Sequence, residues 1–208
     1  MNLQPPLKPI RLVNNLIGII LPLVIIFVLL IGLPVYSFNK PIKIIPNKVL
    51  QPNIKQQDIK AGVPVRLKIP KIKVSIALEN VGLTKEGAVG TPKAPLKAAW
   101  FNLSKRPGDI GNAVITGHYG RFKNGKLAVF NNLKKLNQGD ELYVEDENGK
   151  TTIFIVRELK TYNWNERVPS IFITNDGKSH LNLITCTGAW DKASQTYLKR
   201  LVIFADKK

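Results

Sequence analysis

A chain of 208 residues, 44% of them hydrophobic, is long enough for one domain of ordinary size with an appendage. Its single cysteine excludes an intramolecular disulfide, so the core must hold the fold, and the thiol is either a packing residue or a reactive group. The formal net charge of +17 would suit a basic binding module, but no aromatic residue interrupts the basic run of residues 40–73. We therefore expect no base-stacking surface and no nucleic-acid partner.

The first predicted element is an apolar helix. Residues 16–38, LIGIILPLVIIFVLLIGLPVYSF, contain no charged residue. As a helix this segment would reach about 34 Å, enough to cross the hydrocarbon core of a bilayer. The alternative is a cleavable signal peptide, because Val35-Tyr36-Ser37 resembles a small-residue cleavage site, but the apolar run is longer than such peptides need. We therefore predict an uncleaved transmembrane helix after an N-terminal tail of residues 1–15.

Residues 39–62 are predicted to be a tether. They are rich in Lys, Pro, Asn and Gln and have few large apolar residues. Their basic side chains either lie against anionic lipid head groups or form an ordinary solvated surface. The charges on the two sides of the apolar helix do not favour a cytoplasmic N-terminus, but long domains translocate largely regardless of such charges.

We expect one folded domain over residues 63–208. Short runs of β-branched and aromatic residues are separated there by turn residues. The runs are VRLKI, SIALENVGL, NAVITGH, ELYVE, TTIFIVREL, LNLITC and RLVIFA. Asn148-Gly149, between two of these runs, predicts a tight hairpin because both positions accept a positive φ. The series predicts a mainly β domain, either a barrel or a sandwich, with one or two short helices.

One stretch of the domain has a helical period. Val129, Leu133 and Leu136 are spaced by four and three residues in AVFNNLKKL. Gly139 would end the helix. We therefore predict a short helix between the third and fourth of the β runs.

Cys186 is the first candidate for chemistry. Leu181 and Leu183 alternate before it, which turns one face of the strand to the core, and Thr187-Gly188 would let the chain leave the strand. This places the thiol at a strand end. A free thiol has a pKa of about 8.5, so a nucleophilic cysteine needs a partner that favours the thiolate. Taken alone, a single cysteine is more often a small core residue.

Two histidines could be that partner. His118 follows VITG and precedes Tyr119-Gly120, where a strand runs into a glycine-flanked turn. His180 follows DGKS, which predicts an exposed loop. His118 is therefore the better candidate, with a hydrogen-bonded structural role as the alternative.

Arg200 is the candidate for stabilising an acyl intermediate, because a guanidinium has a fixed charge and several donors. It opens RLVIFA fourteen residues after Cys186, a separation that suits adjacent antiparallel strands joined by a loop. From the residues alone, these positions predict a Cys-His hydrolase or transferase of undefined substrate.

Five segments form an ordered series that resembles one known family. They are LKIPKIKVSIALENVGLTKEGAVGTP, AAWFNLSKRPGDIGNAVITGHYG, LAVFNNLKKLNQGDEL, LITCTG and KRLVIFA. The first is similar to the opening strands of the sortases, the membrane-anchored cysteine transpeptidases of cell surfaces. The others resemble the Trp, Pro-Gly-x-x-Gly-Asn and Gly-His elements of the class E and F branches, the Phe-x-x-Leu and Gly-Asp run, and the cysteine and arginine motifs. The resemblance runs from about residue 66 to residue 205.

The resemblance implies a closed eight-stranded β-barrel with short helices over residues 63–208, held by the N-terminal transmembrane helix. It implies that Cys186 is the nucleophile that forms a thioacyl enzyme. His118 would be the general acid and base toward the leaving and incoming amines, and Arg200 would steady the substrate carbonyl and oxyanion. The N-terminus would be cytoplasmic and the catalytic domain extracellular, at the cell membrane.

The implied partners are surface proteins with a C-terminal sorting signal similar to Leu-Pro-x-Thr-Gly, and an acceptor amine on the cell envelope or on another protein. Two alternatives stay open. One is a cysteine peptidase that only hydrolyses, and the other is a membrane-anchored basic binding module, which would be indifferent to Cys186→Ala.

We expect no cofactor. One cysteine and two histidines are too few for a plausible zinc site. Calcium is the alternative, as in some sortases, but the acidic cluster has no clear ligand spacing. The cluster comprises Asp140, Glu141, Glu145, Asp146 and Glu147.

Overall fold

A computed structural model describes residues 60–122 and 125–208. The predicted tail, residues 1–15, the predicted transmembrane helix, residues 16–38, and the tether up to residue 59 lie outside these ranges. Within the described ranges, no helix has the length and apolarity needed to cross a membrane.

Eight β-strands close into a barrel, as predicted. The strands are β1 (Pro64–Ile69), β2 (Val74–Val81), β3 (Ala98–Phe101), β4 (Gly111–Gly117), β5 (Glu141–Asp146), β6 (Thr151–Asn163), β7 (Ser179–Asp191) and β8 (Thr196–Lys207). Their order around the barrel is β1-β2-β3-β4-β7-β8-β6-β5, and β5 pairs back with β1. The β2–β3 and β4–β7 pairs are parallel and the other pairs are antiparallel. In the described part of the chain, three short 3-10 turns accompany the strands, at Pro70–Ile72, Leu133–Lys135 and Pro169–Ile171.

The barrel interior is an apolar core. Leu181 and Leu183 of β7 and Leu201 and Ile203 of β8 enter it at alternate positions, as the two-residue period of a strand requires. Phe130, from the β4–β5 connection, is fully buried in the same core. Full burial of each such side chain contributes about 1.5–3 kcal/mol, which lets the fold stand without a disulfide.

A second apolar cluster lies on the outer face of β4, β7 and β8. Val114, Ile184 and Val202 come from these strands, one from each. Ile171 and Phe172, from the β6–β7 connection, pack over them and are also buried. The β6–β7 connection is therefore fastened against part of the outer face.

The strand β3 is absent from the runs identified in the sequence. All four residues of Ala98–Phe101 are buried, so AAWF shows none of the alternation that marks a half-buried strand. It is also only four residues long, and it is parallel to β2. Continuous burial in a parallel pair removes the periodic signal.

The helix predicted around Leu133 and Leu136 is wrong, because this segment forms only the 3-10 turn Leu133–Lys135. Both leucines are buried, as their spacing suggested. The N–H of Phe130 donates to the carbonyl oxygen of His118 over 3.0 Å, which ties the segment to the end of β4. The apolar spacing therefore reports burial of one face and not a continuous helix.

The predicted hairpin joins β5 and β6. Gly149 has a φ of 77°, and its N–H donates to the carbonyl oxygen of Asp146 over 3.0 Å. Among the described residues, the non-glycine positions with positive φ are Lys73 and Gln195, so Asn148 does not use the left-handed conformation. The turn therefore needs the glycine and not the asparagine for its backbone geometry.

Candidate active site

Three adjacent strands position the candidate residues: β7, in the middle, carries Cys186, β8 carries Arg200, and His118 directly follows β4. Because Leu181 and Leu183 face the barrel interior, the alternate position Cys186 lies on the outer face. Val202 belongs to the outer cluster, so Arg200 also lies on the outer face of β8. The cysteine and the arginine therefore share one side of the sheet.

Cys186 and Arg200 are directly opposite each other in the antiparallel β7–β8 pair. The arginine is only 1% exposed. Its Nη1 donates to the carbonyl oxygens of Tyr197 and Lys199, over 2.7 and 2.9 Å, and its Nη2 donates to Thr196 Oγ1 over 3.0 Å. Its Nε is buried and has no hydrogen-bond partner among the described residues.

The guanidinium of Arg200 is a buried charge beside a thiol. Burial lowers its pKa from the ordinary value, and the nearby Cys186 opposes that lowering. A guanidinium nevertheless stays protonated at neutral pH. A fixed positive charge next to a thiol stabilises the thiolate, which is the nucleophilic form.

His118 directly follows β4, the strand on the other side of β7. The parallel register places Thr116 of β4 opposite Ile184 of β7. His118 and Cys186 are each two positions further along, His118 directly after the end of β4 and Cys186 within β7. The segment that carries the imidazole and the strand that carries the guanidinium therefore lie on either side of the strand that carries the thiol.

Two contacts hold the end of β4 that carries His118. The Thr185 hydroxyl donates to the carbonyl oxygen of Gly117 over 2.8 Å, which joins the strands where the backbone ladder stops. A Cβ on Gly117 would lie 2.4 Å from the Phe130 ring, so only glycine permits this close packing. The strand end is therefore fixed to both its neighbour and the core.

The imidazole of His118 is held by a backbone carbonyl. Its Nε2 lies 2.7 Å from the carbonyl oxygen of Pro92. A carbonyl only accepts, so Nε2 carries the hydrogen and Nδ1 is the unprotonated nitrogen of the neutral ring. The Phe122 ring packs edge-on against the imidazole at 6.2 Å. This arrangement leaves Nδ1 as the nitrogen able to accept a proton.

An apolar pocket adjoins the imidazole, because Phe122 also forms part of its wall. The cavity measures about 190 Å³. It is lined by Ala94, Pro95, Leu96, Phe122 and Lys126. This is room for one medium-sized apolar side chain beside the candidate base.

The prediction that Cys186 ends its strand is wrong. β7 continues to Asp191, and the register with β8 shifts between Thr187 and Trp190. Gly188 has a φ of 80° within this irregularity. Cys186 therefore lies in the middle of a long hairpin, just before a bulge. Its thiol is half-buried and free. Arg200 likewise does not open β8, which begins at Thr196.

The prediction that His180 lies in an exposed loop is also wrong. It is in β7 and only 5% exposed. Its Nδ1 lies 2.7 Å from Asp206 Oδ1, and its Nε2 lies 2.9 Å from Asp176 Oδ2. With carboxylates at both ring nitrogens, His180 is a structural residue that joins β7, β8 and the β6–β7 connection.

The acidic cluster considered for calcium is divided among structural contacts. Asp146 accepts hydrogen bonds from the N–H groups of Gly62, Asn148 and Lys150. Glu145 lies 3.8 Å from the side chains of both Arg66 and Lys68. Within residues 60–122 and 125–208, no group of three or more His, Cys, Asp or Glu side chains is arranged to hold a metal ion.

Several residues beside the site were not identified from the sequence. They are the carbonyl of Pro92, the hydroxyl of Thr185 and the ring of Tyr197. The position of Thr185 directly before Cys186 was visible in the sequence. Its meaning depends on the β4–β7 pairing, which local sequence does not reveal.

The comparisons with known proteins agree with this barrel. The family model described as Sortase domain matches residues 67–208. Sortase C-1 from Actinomyces oris superposes with a TM-score of 0.54 and 25% identity, covering 70% of this chain and 74% of that one. Sortase C1 from Streptococcus agalactiae gives a TM-score of 0.54 and 22% identity, covering 71% and 69% of the two chains.

Two further comparisons complete this picture. A lid mutant of sortase A from Corynebacterium diphtheriae gives a TM-score of 0.53 and 23% identity, covering 74% of each chain. No curated protein sequence matches the chain. The family match spans most of the chain, and we conclude that the protein belongs to the sortase family of cysteine transpeptidases.

Proposed function

We propose that this protein is a membrane-anchored sortase, of the class E or F type, that cleaves a sorting signal similar to Leu-Pro-x-Thr-Gly and joins the product to an amine. The observation that supports this proposal is the arrangement on one outer face of β4, β7 and β8. Cys186 lies directly opposite Arg200, and His118 directly follows the strand on the other side of β7. A nucleophile, a base and a fixed positive charge are the groups that acyl transfer requires.

In the first half of the reaction, His118 Nδ1 takes the proton of the Cys186 thiol, and the thiolate Sγ attacks the carbonyl carbon of the Thr residue in the signal. The Thr-Gly C–N bond breaks, a thioester forms, and His118 donates a proton to the departing amine of Gly. Arg200 stabilises the oxyanion of the tetrahedral intermediate by its charge. The peptide-bond energy is thus kept in the thioester.

In the second half, an acceptor amine attacks the thioester carbonyl. His118 takes a proton from this amine, the new amide C–N bond forms, and Cys186 Sγ leaves as the thiolate. Water competes with the amine at this step. The fate of the thioester therefore separates a transpeptidase from a hydrolytic cysteine peptidase.

The proposed anchor, residues 16–38, has a role in this chemistry. With a cytoplasmic N-terminus, it would hold the domain at the outer surface of the cell membrane. Substrate and acceptor on the same surface then meet the enzyme at a raised effective concentration.

The test uses the full chain in mild detergent with fluorogenic peptides that carry Leu-Pro-x-Thr-Gly variants. Reactions are run with and without oligoglycine, beside Cys186→Ala, and followed by intact-protein mass spectrometry. We expect a thioacyl adduct on the wild-type protein alone and its conversion by the amine to a ligated peptide.

Two other results would contradict the proposal in different ways. Adduct formation followed by hydrolysis, with no ligation to any amine acceptor, would identify a cysteine peptidase. Peptide binding that is unchanged in Cys186→Ala, without any adduct on the wild type, would identify a binding module.

A further inference from the structure

The β7–β8 hairpin extends beyond the candidate site and carries an aromatic group. Trp190 and Tyr197 are opposite each other near its end. Their rings meet edge to face at 5.2 Å, and the Tyr197 ring meets Tyr119 in the same manner, also at 5.2 Å. Trp190 is 53% exposed, whereas Tyr119 and Tyr197 are half-buried.

The contact between Tyr197 and Tyr119 joins strands that do not pair. Tyr197 is in β8, Tyr119 is the second residue after the end of β4, and β7 lies between these two strands. The Tyr197 side chain therefore reaches across β7 to the segment that carries His118. Edge-to-face aromatic pairs of this kind contribute about 0.5–1.5 kcal/mol beyond the area that they bury.

The chain beyond Tyr119 is shaped to receive this ring. A Cβ on Gly120 would lie 2.5 Å from the Tyr197 hydroxyl oxygen, and Gly120 has a φ of 98°. Both the close approach and the backbone conformation require glycine. The tyrosine and the glycine therefore form a matched contact at the end of β4.

Tyr197 also contacts the candidate arginine. Its carbonyl oxygen accepts a hydrogen bond from Arg200 Nη1 over 2.7 Å. Burial raises the pKa of the Tyr197 hydroxyl, and the proximity of Tyr119 and Cys186 adds to the effect. One residue is thus in contact with Arg200 and with the segment after His118, and it lies near the thiol.

We propose that Tyr197 is a positioning residue: its ring holds the His118 segment and its carbonyl holds Arg200, so that both flank Cys186. The inference rests on the proposed function, because it assigns to Tyr197 the alignment of the same three side chains. A small displacement of a catalytic group is costly, since about 1 Å can reduce the rate by roughly 100-fold.

The competing view is that Tyr197 only stabilises the hairpin. A packing role alone would change the melting temperature and leave the reactivity of folded Cys186 unaltered. The alkylation rate of the thiol separates these views, and it needs no substrate. Because the chain has one cysteine, every alkylated molecule reports on Cys186.

The experiment measures the rate of iodoacetamide alkylation between pH 5 and pH 9 for the full chain. The variants are Tyr197→Leu, Tyr197→Phe and Tyr119→Leu, with Tyr143→Leu as the matched control. Tyr143 is in β5, two strands away from β8, and bonds to Glu141. Thermal unfolding followed by circular dichroism is recorded for each variant, and rates are compared only below the unfolding transition.

We expect Tyr197→Leu to lower the alkylation rate at pH 7 by about tenfold, because His118 and Arg200 are no longer held in place around the thiol. Tyr119→Leu is expected to act in the same direction, because it removes the partner ring from the other strand. Tyr197→Phe keeps the ring and should restore the rate to within about twofold of the wild type. In the peptide assay, Tyr197→Leu should reduce kcat more than it raises KM.

Wild-type alkylation profiles in folded Tyr197→Leu and Tyr119→Leu would overturn the inference. An equal change in Tyr143→Leu would do the same. If Tyr197→Leu fails to fold, Tyr119→Leu decides the question alone. A wild-type protein that forms no thioacyl adduct would refute the proposed function, and the alkylation profiles would still decide the role of Tyr197.

Discussion

The outer face of β4, β7 and β8 has two ends that differ in what covers them. At one end, His118 and Cys186 are half-buried and Cys186 is a free thiol. At the other end, Asn112, His180 and Asn182 are almost fully buried under the β6–β7 connection. The same strands and the same face therefore carry an accessible site at one end and a buried polar layer, bordering a pocket of about 210 Å³, at the other.

The two histidines make the difference concrete. The ring of His118 is held by one carbonyl oxygen, at Nε2, so the other nitrogen is available for proton transfer. Both nitrogens of His180 contact carboxylates, those of Asp206 and Asp176. The two residues are of the same type. Within the described part of the chain, His118 has one ring nitrogen without a hydrogen-bond partner and is a candidate base, whereas both ring nitrogens of His180 have partners, which is typical of a structural residue.

The buried amides explain how the end of the face that carries His180 is built. Asn112 Nδ2 donates to the carbonyl oxygen of Ser170 over 2.8 Å, and Asn182 Nδ2 donates to that of Ile171 over 2.7 Å. These bonds fasten the β6–β7 connection to two adjacent strands. Buried polar groups stabilise a fold only when they are paired in this way, and Asn182 Oδ1 is buried without a hydrogen-bond partner among the described residues.

The largest effect on kcat/KM is expected when each of the two histidines is replaced separately. His118→Gln should lower kcat/KM by about 10²- to 10⁴-fold, because general acid and base catalysis is lost. His180→Gln should keep kcat/KM within about twofold of the wild type below its unfolding transition, since His180 touches none of the reacting groups. Steady-state ligation kinetics measure both. Equal losses of kcat/KM in the two variants would contradict the distinction between a catalytic and a structural histidine.

The second effect concerns the charge opposite the thiol. Arg200→Lys should lower kcat/KM by about 100-fold, because an ammonium cannot reproduce the guanidinium's bonds to the hairpin or its place beside the oxyanion. The matched control is Arg157→Lys in β6, whose guanidinium pairs with Asp206 over 2.8 Å. Ligation kinetics are compared under the same conditions. A wild-type kcat/KM in Arg200→Lys would show that a positive charge is sufficient and that the guanidinium geometry is not needed.

The third effect is on stability and concerns the end of the face that carries His180. His180→Gln should lower the free energy of unfolding by about 1–2 kcal/mol, because the charge-assisted bonds at both nitrogens are weakened. The effect is held to this size because the side chains of Asp206 and Asp176 are 38% and 45% exposed. Urea unfolding at pH 7 measures it. An unchanged midpoint would mean that these contacts contribute nothing.

The smallest effect is a change in the pH dependence of stability. The hydrogen bond from His180 holds the pKa of Asp176 below its ordinary value, with help from the N–H of Lys178. A lowered folded-state pKa contributes stability above about pH 4, and this is lost as the pH falls through the folded-state value. Asp176→Asn should therefore be less stable than the wild type at pH 7, and the gap should narrow toward pH 3. Urea unfolding at both pH values tests this, and a constant gap would contradict it.

Prediction of the site from the sequence succeeded where short spacing defines the geometry. Cys186 and Arg200 are fourteen residues apart in one hairpin, and a hairpin brings such residues opposite each other. Prediction of the environment of His180 failed, because the polar run before it indicates a loop. Its two carboxylate partners, one of them 26 residues further along the chain, become neighbours only in the folded barrel.

The sequence by itself determined the barrel's strands, apart from the short buried β3. It also determined which chemical groups are present for catalysis: one thiol, two imidazoles and an arginine in a predicted strand. Local alternation and turn residues carry that information, because they act within a few residues of the chain. Only the tertiary structure decided that Cys186 lies within a strand, that Arg200 is bonded into its own hairpin, and that Tyr197 reaches across β7. The contact between Tyr197 and Tyr119 depends on segments that are distant in sequence and adjacent in the barrel, whereas the bonds of Arg200 lie within four residues of it and depend on how the hairpin orients and buries its side chain.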